Sequence, residues 1–307
     1  VIGVTIGLAP LAFWRLALRP PRSIPGMVRF SGGTFRMGHS AAELEAECNW
    51  QGPTCLQRRM EREQPSRLVT LSPFYLDKYE VTNAEFLAFL RASPQGFSVR
   101  ADRDSHKPRF VDSRGEPALL LMDLDDQDEI TPLANGDLQL RPTAARHPVQ
   151  SVTWDAADRY CQAQGKRLPT EAEWEFAAGG GNGRRYPWGD TAPRCDGVVI
   201  DRAAGRPCAA LSVKTVAVGT APQDVTPDGI HDLGGNVTEW VQDRFQAPYP
   251  SCGDCRDPVV DWKGGDDLRV LRGGSALSEG IMARSTGRGR YHRSGVIAMV
   301  GFRCAAR

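Results

Sequence analysis

Four kinds of side chain in this 307-residue chain are spaced for chemistry: thiols, clustered arginines, scattered imidazoles, and two carboxylates around a glycine turn. The cysteines number eight, and three pairs lie close together: Cys48 with Cys55, Cys195 with Cys208, and Cys252 with Cys255. Eight thiols allow roughly a hundred pairings, so connectivity stays open at this level. Proximity favours local disulfides over buried free thiols, and with them an oxidising, extracytoplasmic compartment. Cys252-Gly253-Asp254-Cys255 is a lone CxxC, a spacing found in redox-active pairs and in half zinc sites. No second CxxC or nearby histidine joins it, so a local bridge is its expected state. The histidines (His39, His106, His147, His231 and His292) are scattered, a poor basis for a facial triad on iron. Arg284, Arg288, Arg290 and Arg293 fall within ten residues. Guanidinium forks suit carboxylate or phosphate, so Arg284, Arg288 and Arg290 define an anion- or peptide-binding groove. The plainer alternative is that they pair with structural acids or face water. Asp232 and Glu239, finally, bracket Gly234-Gly235-Asn236 and offer either hard oxygen donors or caps for backbone amides.

The elements that must position these groups are short. With 41% apolar and 24% charged residues the chain is ordinary and globular, while 32 glycines and 22 prolines favour turns over long helices. A net charge of +1 gives no electrostatic footprint for nucleic acid, which excludes that class of partner. Val1 to Trp14 is an uncharged, mostly apolar run. As a helix it would reach only about 21 Å, short of a bilayer core near 30 Å. Residues 1–19 therefore read as part of a membrane-anchor or signal-like segment that further residues would complete. Arg15, Arg19 and Arg22 weigh against simple export and the cysteines weigh for it. Residues 20–26, with Pro20, Pro21 and Pro25, read as a linker, and 27–307 as one domain.

Within the domain, Val69-Thr70-Leu71 and Phe74-Tyr75-Leu76 read as strands broken by Pro73. Residues 40–64 read as a polar surface loop tied down by Cys48 and Cys55. Three helices follow from caps. Thr82 and Glu85 form a capping box ahead of Phe86, Phe89 and Leu90; Thr153 caps a helix that stops near Gly165. Thr170 and Glu173 form a second box, with Trp174 and Ala177 inward and Gly179 ending the helix. Residues 95–145 lack helical periodicity and are acidic around Asp123, Asp125, Asp126, Asp128 and Glu129. They read as a variable insertion carrying a solvated acidic loop, since the glycine an EF-hand loop needs is missing.

Several segments in order resemble one family: Gly32 to Gly38, Gly165 to Glu175, Tyr186 to Gly189, Asp232 to Trp240, Arg272 to Ser275, and Gly301 to Arg307. Together they resemble the signature of the formylglycine-generating-enzyme, or sulfatase-modifying-factor, family across residues 27–307. The resemblance implies an α+β fold, the sulfatase-modifying-factor variant of the C-type-lectin-like architecture, with much irregular structure. It implies a Cys161–Cys304 bridge, which leaves the three local pairs. It also implies calcium, held by the side chains of Asp232 and Glu239 and the carbonyls of Gly235 and Val237. That set suits an ion that takes six to eight hard oxygen donors. The family's other calcium site, near residues 195–218, is expected to be lost. In catalytic members two cysteines after the Gly-Gly-Ser hold copper and activate oxygen. Here Ser275 matches the family serine, but the thiol positions are Ser278 and Ala283, and Thr238 stands where the family carries tryptophan. Cuprous ion selects soft thiolates, so no copper is expected. The ergothioneine-forming relatives hold iron with an extra N-terminal helical bundle, for which this chain has no room.

The expected function is a non-catalytic family domain: a calcium-stabilised, extracytoplasmic binding or scaffold module. Its partner would be another protein, unidentified by the sequence, in a membrane-associated complex. The alternative is an oxidoreductase of the same family whose metal or thiol site has moved.

Overall fold

Glycine and proline interrupt this chain so often that its backbone forms short elements. The structure, a computed structural model, describes residues 23–51, 61–92, 97–101, 108–112, 117–120, 130–132, 138–203, 206–208, 214–261 and 264–307. Strands β1 (Met27–Phe30) and β2 (Gly33–Met37) meet at Gly32. Its φ of 72° and the Leu71 carbonyl oxygen, 2.2 Å from where a Cβ would stand, admit only glycine. Helix α1 (Ala41–Gln51) comes next, within the span expected as a loop. It forms because Ser40 and Glu43 cap each other. The Ser40 amide donates to Glu43 Oε2 at 2.7 Å, and the Glu43 amide to the Ser40 hydroxyl at 3.2 Å. Cys48 lies on this helix, while Cys55 and residues 1–22 lie outside the described residues.

Strands β3 (Arg67–Leu71) and β4 (Phe74–Asp77) flank Pro73, and α2 (Asn83–Ala92) opens on the Thr82–Glu85 box. The expected insertion contains strands: β5 (Phe97–Ala101), β6 (Pro108–Asp112) and β7 (Pro117–Leu120) pair antiparallel, and β8 (Ile130–Pro132) pairs with β9 (Leu138–Leu140). The period-two alternation of Phe97-Ser98-Val99-Arg100-Ala101 is a strand pattern that a search for helical periodicity passes over. The acidic residues 123–129 lie outside the described residues.

Helix α3 (Trp154–Ala163) is capped by Thr153, whose hydroxyl accepts from the Ala156 amide, and stops before Gly165 at a φ of 69°. Helix α4 (Glu171–Gly179) starts at the reciprocal Thr170–Glu173 box. After a short ribbon of β10 (Arg202–Ala203) and β11 (Arg206–Pro207), the main sheet forms from β12 (Thr238–Arg244), β13 (Leu268–Arg272), β14 (Arg288–His292) and β15 (Val300–Gly301). Its order is β14-β13-β12-β15, with only β12 and β15 parallel. Strand β16 (Ala305–Ala306) joins a separate sheet of order β1-β4-β16.

Two apolar clusters pack on the main sheet. One gathers Phe86, Phe89, Tyr160, Trp240 and Phe302 around Cys161 and Cys304; the other gathers Phe30, Phe35, Phe74, Trp174, Val241 and Val270. The buried indoles are satisfied: Trp240 donates to the Val152 carbonyl and Trp154 to the Val241 carbonyl. Disulfides join Cys161 to Cys304, Cys195 to Cys208, and Cys252 to Cys255. The first closes a span of 143 residues and ties α3 to the segment leading into β16. Replacing both Cys161 and Cys304 by alanine should therefore cost about 2–5 kcal/mol of unfolding free energy. Denaturant titration of oxidised protein checks this, and an unchanged midpoint would contradict it.

Candidate functional site

The loop from Asp232 to Val237 enters β12 by two left-handed turns, Asp232 at φ 61° and Asn236 at φ 65°. Polar side chains hold that shape. Glu80 accepts from the Asn236 side-chain amide at 2.7 Å and from the Val237 backbone amide at 3.1 Å. Asp224 accepts from the Gly234 amide at 2.9 Å. Asp232 Oδ2 accepts from the Gly219 amide at 2.5 Å, while its Oδ1 is buried with no partner. Glu239 accepts from the Trp174 indole at 2.9 Å and from Arg303 Nη2 at 2.6 Å.

Four buried carboxylates (Glu80, Asp224, Asp232 and Glu239) thus surround one buried guanidinium, Arg303. Burial is the main force on the protons of Asp232, Glu80 and Asp224. It pushes Asp232 up to about 6 against the pull of the Gly219 amide and Arg303. Glu80 and Asp224 are raised well above the carboxylate range by burial and then by the charge of Asp232. Glu80 and Asp224 were not legible as site residues; the one signal was an acid set between Tyr79 and Val81 just ahead of a capping box.

Asp232 offers a hard dication one buried carboxylate oxygen without a protein partner, although the charge of Arg303 already acts on the same carboxylate. Glu239 meets that test less well, since Arg303 and Trp174 already hold its oxygens. The Asn236 carbonyl accepts from the Ala276 amide. The resemblance would put calcium on Asp232, Glu239 and the Gly235 and Val237 carbonyls; among the described residues no three His, Cys, Asp or Glu side chains converge on a metal site.

Ser278 and Ala283, the positions the resemblance matches to the family's thiols, offer copper no soft ligand. Ser275 and Ser278 close a turn on each other, hydroxyl to hydroxyl at 3.0 Å, with the Ser275 amide also donating to Ser278 Oγ at 3.0 Å. Ala283 is fully buried in a short 3-10 turn and offers no donor atom. Thr238 starts β12, where its amide donates to the Met299 carbonyl.

The expected anion groove is corrected by the ion pairs. Arg284 is 2% exposed and forked onto Glu63 at 2.6 and 2.9 Å; Arg288, equally buried, is forked onto Glu171. Arg290 is exposed beside the Phe245 ring, and Arg293 pairs with Asp155 and Asp267. A guanidinium brought out of water needs a carboxylate, so the plainer reading of the cluster holds. The histidines do not converge either. His39 meets Glu63, His147 meets Thr215, His231 stacks near Tyr79, and His292 meets Ser294; His106 lies outside the described residues. A cavity of about 590 Å³ opens between α1 and the glycine-rich turn after α4, lined by His39, Glu43, Glu47, Glu175, Arg184 and Arg284 among others.

Residues 15–307 match the sulfatase-modifying factor enzyme 1-like domain. A formylglycine-generating enzyme from Streptomyces coelicolor is 33% identical over 93% of this chain and 90% of its own length. A mouse protein named inactive C-alpha-formylglycine-generating enzyme 2 is 29% identical, over 92% of this chain and 86% of its own. Among solved structures, PvdO from Pseudomonas aeruginosa superposes over 92% of this chain and 94% of its own, with a TM-score of 0.61 at 22% identity. The shared fold is the α+β, C-type-lectin-like one.

The Glu63–Arg284 pair yields a pH prediction. Burial alone would raise Glu63, but Arg284 and His39 outweigh it and hold the carboxyl down to about 2. A depressed folded pKa means the pair's stability is complete above about 4.5 and is lost as pH falls toward 2. Glu63→Gln should lose about 3–5 kcal/mol at pH 7 by stranding Arg284. That deficit should shrink on acidification below about 4.5. Thermal unfolding of both proteins across this range checks it; a deficit independent of pH would contradict it.

Proposed function

Because this chain belongs to the sulfatase-modifying factor, or formylglycine-generating enzyme, family, we propose that it is a member that has given up the family's copper chemistry and keeps the scaffold for binding. The observation that carries this reading is the pair of positions Ser278 and Ala283. One hydroxyl is held in a turn with Ser275, and the other position is a buried methyl. Two thiolates meeting one soft metal cannot be replaced by these groups. What remains is a framework of short, cross-linked elements presenting loops and an open polar cavity, which serves recognition well. The disulfides support an oxidising, extracytoplasmic compartment. Residues 1–19 would tie it to a membrane-associated complex in which its partner is another protein. Among the described residues no helix is long and apolar enough to cross a membrane.

Calcium belongs to the same proposal, as a structural counter-charge for the buried carboxylates around Asp232, not as a reagent. Purified protein given copper, reductant and a cysteine-containing sulfatase-type peptide should retain no stoichiometric copper and form no formylglycine by mass spectrometry. Turnover above a metal-only control would end the non-catalytic reading.

Calcium itself has a signature in pH. The folded pKa of Asp232 is raised, so without the ion its contribution to stability is lost as pH rises from about 4 to about 6. Bound calcium should offset that loss. The stabilisation by calcium over chelator, read from melting curves, should be small at pH 5 and grow through pH 6 to 7, reaching about 2.7 kcal/mol when calcium is a hundredfold above its Kd. Identical melting with and without calcium from pH 5 to 8 would remove the site.

A further inference from the structure

The Cys252–Cys255 bridge differs from the others described in what surrounds it. Cys161 and Cys304 are fully buried, whereas Cys252 and Cys255 are both partly exposed. It also closes the shortest span, three residues, and so gains least from restricting the unfolded chain. The loop does not need the bridge for its shape. The Thr70 amide donates to the Cys255 carbonyl at 3.0 Å, and the Asp257 amide donates to the Thr70 carbonyl at 2.8 Å. Asp257 in turn accepts from the Ser72 amide and hydroxyl at 2.8 and 2.7 Å. Opened thiols would stay side by side.

Beside them stands a cation without a counter-ion. Arg67 Nη1 lies 3.7 Å from Cys252 Sγ and donates to the Pro250 carbonyl at 2.7 Å. Its guanidinium stacks 4.5 Å from the Tyr249 ring centroid, and its Nε has no partner. No carboxylate pairs with Arg67 among the described residues. A thiolate is the charge this position lacks. A positive neighbour lowers a cysteine's pKa and, by stabilising the reduced form, makes the disulfide a better oxidant.

We propose that Cys252–Cys255 is a redox-active disulfide that oxidises a dithiol in a partner polypeptide, with Cys252 as the reacting sulfur and Arg67 as its positioning and charge-stabilising residue. A partner thiolate attacks Cys252 Sγ, the Cys252–Cys255 bond breaks, and its electron pair leaves on Cys255. The partner's second thiolate then attacks its own sulfur in the mixed disulfide and expels Cys252 as a thiolate against Arg67. The partner loses two electrons and two protons and gains a disulfide; Cys252 and Cys255 end as the dithiol. This goes beyond the binding role and stands independently of calcium and of copper.

The test equilibrates the intact protein in graded glutathione buffers, quenches with iodoacetamide and maps the alkylated cysteines by mass spectrometry. The 252–255 pair should be reduced at a ratio of oxidised to reduced glutathione at least tenfold higher than Cys161–Cys304 or Cys195–Cys208, with the far-ultraviolet circular dichroism unchanged. In the reduced protein, Arg67→Gln should slow alkylation of Cys252 at pH 7 about tenfold, and Arg67→Lys should restore most of it. Oxidised protein should convert a two-cysteine peptide to its disulfide in one turnover. Cys255→Ser, mixed with the same peptide as its disulfide, should trap a covalent adduct at Cys252. The proposal is overturned if the pair opens only with the other bridges. It is equally overturned if Cys252 reacts at the same rate with glutamine at position 67, or if the peptide stays a dithiol.

Discussion

Buried arginine–carboxylate pairs are the constraint that everything else in this fold accommodates. Arg272, Arg284, Arg288 and Arg303 are all within 2% of full burial, and each is paired with a glutamate: Glu175, Glu63, Glu171 and Glu239 respectively. Such pairs add little net stability against a well-packed apolar substitute, because both charges leave water. What they add is uniqueness, since a misplaced guanidinium in the interior is far costlier than a misplaced leucine. Glu171 and Glu175 sit one turn apart on α4 and face Arg288 and Arg272, while Glu173 reaches back to Arg167. One short helix thereby fixes β13 and β14, and Arg303 fixes the closing segment to β12.

The same pairs explain how much could be read in advance. The starts of α2 and α4 were legible because a hydroxyl and a glutamate three apart make a capping box, which is local chemistry. The fold class was legible in the order of short motifs. The pairing of arginines was not, since Arg284 and Glu63 lie 221 residues apart and only the tertiary fold brings them together. Four arginines in a row then resemble a binding stripe. Helix α1 was missed although Ser40 and Glu43 obey the same rule as Thr82 and Glu85, because little apolar periodicity follows the box to announce a helix. Glu80 was missed because it caps amides 156 and 157 residues further on, and Asp224 because its bond to the Gly234 amide crosses a turn that no sequence pattern marks.

The turn after β13 shows how much of a loop two hydroxyls can hold. Ser278 is a working part of that turn, bonded to the hydroxyl and amide of Ser275. Its carbonyl accepts from the Asp201 amide, which draws in the segment before β10. A thiol in place of the Ser278 hydroxyl would disturb the hydrogen bonds that hold this loop.

Sheet order carries a mechanical consequence. Strands β1 and β16 lie on either side of β4 and both run antiparallel to it, so they run parallel to each other. Tension applied between Met27 and Ala306 would pull the outer strands in opposite directions along their own axes. Hydrogen bonds on both sides of β4 would then be loaded together in shear, not opened one after another like a zipper. The bond from the Cys304 amide to Asp77 and the bridge to Cys161 sit at the inner end of that strand. Pulled at both ends, the domain would therefore transmit force through this three-stranded sheet.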